Sequence, residues 1–184
     1  MTRRAFLVAT LTPAIAQAQD AMASVMAALA AVRDSQASFV EEKELPELDR
    51  PLTSRGVLLW HAPARLEKRT VEPFQERLLV DGDRLLLEGR DQRQELSLDT
   101  TPDIRPLVEA IRATLAGDAA TLERYYEVRF SGDLAHWRMV LTPRSTRVLA
   151  AVQRITIEGE AGAVLVVDRQ GRDGHSRMAV TPVR

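Results

Sequence analysis

Cysteine is absent from all 184 residues, which excludes disulfides, thiolate metal sites and a lipid-modified cysteine behind a leader. Histidine is scarce. His61, His136 and His175 stand far apart and form none of the short His-x-His, His-x-x-x-His or His-Glu-x-x-His spacings that metal ligation uses, so neither a metal site nor a cofactor is expected. An excess of charge of one sign is lacking too: the formal net charge is -1, with no basic footprint for nucleic acid. No apolar run approaches the roughly 20 residues that span a bilayer. A Gly-x-Ser-x-Gly elbow and a glycine-rich phosphate loop are also missing, and Gly171-Arg172-Asp173-Gly174 reads as a hairpin turn. Aromatic residues are only 4% while leucine, methionine and valine are abundant, so the interior is expected to be aliphatic and adaptable.

Carboxylates are plentiful, and Glu41-Glu42 or Asp81 with Asp83 are the pairs that acid/base hydrolysis would use. Both have simpler explanations. Glu41-Glu42-Lys43-Glu44 reads as charge on an edge or solvated strand face, and Asp81-Gly82 is a type I′ hairpin signal. The chain is therefore expected not to be an enzyme.

What is present begins with a leader. Arg3-Arg4 precede an apolar run, Ala5–Ala16, that ends in Ala16-Gln17-Ala18, the anatomy of a secretory signal peptide over residues 1–18. Residues 19–184 are then one mature domain, expected in the periplasm as a soluble monomer. Thr2-Arg3-Arg4-Ala5-Phe6-Leu7 also resembles a twin-arginine signal, which leaves the export route open.

Beyond the leader, Met22, Val25, Met26, Leu29 and Val32 fall at helical spacing behind Asp20, a candidate N-cap. Ala37–Glu44 reads as a strand. Arg55–His61, Arg65–Val71, Glu76–Val80, Arg84–Glu88 and Gln94–Leu98 follow, separated by Pro63, Pro73, Asp81-Gly82 and Gly89. The period then lengthens to about 3.6, with Leu107, Val108, Ile111 and Leu115 on one helical face, Asp103 able to cap and Gly117 able to close. Asp118 can cap a second short helix over Ala119–Tyr125. Alternation resumes at Tyr126–Phe130, Trp137–Leu141, Val152–Glu158, Ala163–Asp168 and His175–Thr181.

About eleven antiparallel strands must curl or split, and about three helices are too few to cover both faces. The expected fold is mainly β: an unclosed antiparallel barrel with a helical lid, although a packed sandwich satisfies the same strand count. The lining expected for its cavity is Phe39, Leu59, Trp60, Leu79, Leu87, Leu107, Val108, Ile111 and Met139, with Met22, Met26, Leu29 and Leu115 on the lid helices. Leu59 and Trp60 are adjacent, so strict alternation cannot turn both inward.

Gly56-Val57-Leu58-Leu59-Trp60-His61-Ala62-Pro63-Ala64-Arg65-Leu66, followed by Leu78-Leu79-Val80-Asp81-Gly82-Asp83-Arg84-Leu85, resembles the LolA-type outer-membrane lipoprotein carriers. Ala37-Ser38-Phe39 upstream and Trp137-Arg138-Met139-Val140-Leu141-Thr142-Pro143-Arg144 downstream are similar to the same family's strands. The resemblance implies an open barrel lidded by helices over a hydrophobic cavity. It also implies a carrier that takes an acylated lipoprotein from an inner-membrane transporter to an outer-membrane acceptor. One position departs from the family: the basic residue before the proline, which helps hold the lid shut, is replaced by Ala62, with Arg65 and Arg69 the nearest basic candidates. The departure opens a second cargo beside the lipoprotein, a non-lipoprotein lipid, glycolipid or pigment of an export system; the competing class is a structural or interaction protein of the cell envelope.

Overall fold

The strands' backbone hydrogen-bonding groups need partners, and all the described strands find them in a single sheet whose two edge strands have one neighbour each. The computed structural model describes residues 13–183. Helix α1 (Pro13–Ala31) leads into β1 (Asp34–Glu44), β2 (Leu52–His61), β3 (Arg65–Glu72), β4 (Glu76–Asp81), β5 (Arg84–Glu88) and β6 (Arg93–Ser97). A 3-10 turn over Leu98–Thr100 opens the helical insert of α2 (Arg105–Leu115) and α3 (Ala119–Tyr125). The chain returns through β7 (Tyr126–Gly132), β8 (Trp137–Pro143), α4 (Thr146–Ala151), β9 (Val152–Glu160), β10 (Ala163–Gly171) and β11 (Gly174–Pro182).

Every pairing is antiparallel, and the sheet order is β6-β5-β4-β3-β2-β1-β11-β10-β9-β8-β7. The two edges, β6 and β7, are thus consecutive in the chain, joined by α2 and α3. The barrel stays unclosed where the helical insert lies, because the segment that would zip the edges together is helical instead. The fold is mainly β, among the described residues an eleven-stranded open antiparallel barrel with four helices.

Helices cover the inner face at both ends of this sheet. Val25, Met26 and Leu29 of α1, Ala110 and Ala113 of α2 and Leu122 of α3 form the larger core with Tyr126, Trp137, Met139, Leu141, Ile155 and Ile157. A smaller core joins Val80, Leu85 and Leu98 to Leu66, Leu78, Leu87 and Leu96, with Ile104 and Val108 at the start of α2. Close approach of α1 depends on glycine. A side chain at Gly117, which has φ 66°, would overlap the Met26 carbonyl, and one at Gly162 would press on Ala28.

Several local expectations are corrected. Asp20 does not cap, because α1 is already helical from Pro13. Of the expected leader, residues 1–12 lie outside the described residues, and its remaining residues belong to α1. Asp103 does not cap α2, whose N-cap is Ile104; its carboxylate meets Arg147 at 3.1 Å instead. Asp118 does cap α3, accepting the Thr121 amide at 2.9 Å. The turn after β4 is not type I′: Asp81 pairs with Arg84, and of the two loop residues only Gly82 has positive φ, the pattern of type II′. Helix α4 carries too short an apolar pattern to be legible beforehand. Finally, the acidic run Glu41–Glu44 is on no edge, since β1 lies between β2 and β11 in the middle of the sheet.

Candidate ligand-binding site

Between the two packed cores, the inner face of the central strands has no layer of helix side chains pressed onto it. A cavity of about 470 Å³ remains there, within the usual range of ligand pockets. Ser35 and Ala37 of β1, Leu58 and Trp60 of β2, and Leu66, Lys68 and Leu78 of β3 and β4 form one wall. Met178 and Val180 of β11, Val164 and Val167 of β10 and Ile157 of β9 form the other. The roof is Leu29 from α1 and Val32 just beyond its end, with Ile111, Thr114 and Leu115 from α2.

Register explains this wall. Ser35 pairs with Trp60 and Ala37 with Leu58 on β2; Leu66 pairs with Trp60 and Lys68 with Leu58 on β3; Lys68 in turn opposes Leu78 on β4. Directly paired residues share a face, so these side chains turn inward together. Trp60 also fixes the roof, because its indole Nε1 donates to the Val32 carbonyl at the end of α1 at 3.1 Å.

Five of the expected positions border the cavity: Leu59, Trp60, Ile111, Leu29 and Leu115. Leu59 does so although it registers with Glu67, and through Glu67 with Leu79, on the opposite face. Leu79 therefore lies outside. Phe39 is buried on the inner face over Gly56, beyond the cavity's end. Leu87 and Val108 belong to the smaller core, and Met22, Met26, Leu107 and Met139 to the larger one, where neighbouring side chains already fill the space. Leu58, Leu66 and Leu78 were missed; their pairing through Trp60 and Lys68 is a property of register, which single-strand alternation does not supply.

The charged strand Arg65–Arg69 has two different faces. Glu67 is only 3% exposed on the outer face, where it accepts from Arg69 Nε and Arg77 Nε, both at 2.6 Å. Burial pushes its pKa up, but the hydrogen bonds and charges of Arg69 and Arg77 prevail and hold it below the usual value. Lys68 points the other way, into the cavity wall, with its ammonium paired to Glu41 and 4.8 Å from the centre of the Phe39 ring.

Neither Arg65 nor Arg69 takes over lid control. Arg65 binds Asp81 at 3.0 Å and Arg69 binds Glu67, both away from the helices. Ala62 buries its methyl group and donates its amide to the Arg33 carbonyl. The roof is latched instead by cations of α2 itself: Arg112 donates to the Gly82 carbonyl and Arg105 meets Asp83 at 2.7 Å and Asp99 at 2.6 Å. Glu109, buried between them, pairs with Arg112 and lies 3.6 Å from Arg105. On the other side, the buried Tyr126 hydroxyl donates to the Pro106 carbonyl at 2.8 Å. Helix α2 is thus tied by polar contacts to both edges of the open barrel.

Among the described residues no cluster of three or more histidines or carboxylates could hold a metal, and no helix is long and apolar enough to cross a membrane. A family profile described as outer membrane lipoprotein carrier protein LolA-like matches residues 13–180, nearly the whole chain. The chain belongs to this LolA-like family. No curated protein matches the sequence. Solved structures similar to this LolA-like chain include a LolA superfamily protein from Nitrosomonas europaea, at 12% identity over 91% of this chain and 93% of that one, with a TM-score of 0.43. MucB in its complex with MucA from Pseudomonas aeruginosa is 20% identical over 90% of this chain but 56% of its own, with a TM-score of 0.45. The lipoprotein LppX of Mycobacterium tuberculosis is 8% identical over 90% of this chain and 98% of its own, at 0.40.

Proposed function

We propose that this LolA-like protein is a non-catalytic periplasmic carrier that shields the acyl chains of a lipoprotein, or of a similar amphiphile, between the inner and outer membranes. The observation that carries the reading is the apolar cavity between the two cores, walled by central strands and roofed by helices tied down by polar contacts. Burying an acyl chain stabilises a complex by about 0.8 kcal/mol per CH₂, so a cavity of this size holds a chain firmly yet reversibly. In this reading an inner-membrane transporter loads the cavity and an outer-membrane acceptor empties it; the family's description as an outer membrane lipoprotein carrier supports the carrier role.

Trp60 supplies the test, because its indole is in the wall while Trp137 is fully buried in the larger core. In a Trp137→Phe background, titration of the purified mature protein with a fluorophore-tagged fatty acid should quench Trp60 by energy transfer and saturate. Absence of saturable uptake would leave the alternative of a structural envelope protein.

A further inference from the structure

All but two of the 25 basic residues are arginine, and the two lysines, Lys43 and Lys68, lie on the inner face of the sheet. Lys68 is the one in the cavity wall: Leu58 and Leu78 stand directly opposite it on both neighbouring strands, with Leu66 before it and Thr70 after it on the same face. The Glu41 partner comes from two strands away, reached across the ring of Phe39. Half-buried pairs of this kind are not what a sheet needs to stay folded, since apolar residues of similar volume are often as stable or more so. The chain nevertheless places an ammonium group at the end of a hydrophobic space.

We propose that Lys68 receives the anionic head, a carboxylate or phosphate oxygen, of an amphiphile whose chain fills the cavity, with Glu41 positioning the ammonium. This rests on the carrier reading and adds the class of head group. An ammonium has three donors and Glu41 uses one, so Lys68 can hold a second oxygen without releasing the first. A lysine is also a compact, mobile point charge, better suited than a planar guanidinium to follow a head group of variable shape. Glu160, also at the cavity's border, is exposed at the end of β9, where alternation from the inward Ile157 turns it to the outer face. Lys68 is therefore the cation of the inner wall, and it sets the orientation: head toward Lys68, chain along Trp60, Ile111 and Val167.

The experiment compares a fluorophore-tagged fatty acid with its methyl ester, and an alkyl phosphate with its neutral alcohol, on the full mature protein. At least one anionic head should bind about tenfold more tightly than its neutral counterpart. That preference should vanish in Lys68→Met and grow in Glu41→Gln, which frees the ammonium. Whichever pair shows the preference identifies the head as carboxylate or phosphate. Equal binding of acid and neutral forms by the native protein, or a preference that survives Lys68→Met, overturns the assignment while leaving the carrier reading intact. Failure of all four probes to bind overturns both.

Discussion

Single residues divide here into those that build the sheet and those that shape its inside. Gly56 belongs to the first kind: a Cβ there would overlap the Arg69 carbonyl and the Phe39 ring. We predict that Gly56→Ala lowers stability by about 1–3 kcal/mol, read as a shift of the urea midpoint; an unchanged midpoint would show that the strands can part. Ile111 belongs to the second kind, half-buried in the roof of the cavity. Ile111→Asp should weaken acyl binding more than it weakens folding, and equal losses would make Ile111 ordinary core. Glu67 sets a pH dependence. Its folded pKa is lowered, so the stability it contributes is full above its unfolded value near 4.5 and is lost as pH falls through the folded value. Glu67→Gln should flatten the decline of the urea midpoint as pH falls below the unfolded value near 4.5; a decline as steep as that of the native chain would rule Glu67 out as its source.

Helix α2 is the element that holds the roof in place through polar ties to the β4–β5 turn, to Asp99 and to β7. Glu109 is 5% exposed and relies on Arg112 and Arg105 for compensation of its charge. We predict that Arg112→Ala costs about 3 kcal/mol, that Arg112→Ala with Glu109→Ala costs less than the single change, and that amide exchange in α2 rises in the single variant. Simple additivity of the two changes would mean the network is not coupled. The sequence has Ala62, not a basic residue, before Pro63, and carries no sign of what ties the roof down in its place. That the latch runs from helix to hairpin turn follows from the packing of Arg112 against Gly82, residues 30 positions apart. Spacing along the chain carries no trace of such a contact.

At the scale of the whole molecule, α1 packs through Met22, Val25, Met26 and Leu29, all beyond the expected cleavage point after Ala18, while Gln17–Asp20 are exposed. A chain beginning at Gln19 should therefore melt within experimental error of the full-length protein. In cells, we predict that the exported protein begins at Gln19 and is released with the periplasmic fraction. A full-length N-terminus on the released protein would contradict the leader.

The sequence by itself determined the strands and their number, three of the four described helices, the aliphatic interior and the absence of cysteine chemistry. Those are local properties, written in periods of two and about 3.6 and in residue types. Only the tertiary structure decided which leucines face the cavity. That choice depends on register between strands, on the bulge between Val164 and Val166, and on how far the two helix-covered cores extend before they leave the centre of the sheet uncovered. It also turned Lys68 inward and Glu67 outward from one charged strand, since neighbouring residues in a strand face opposite sides and only packing says which side is in.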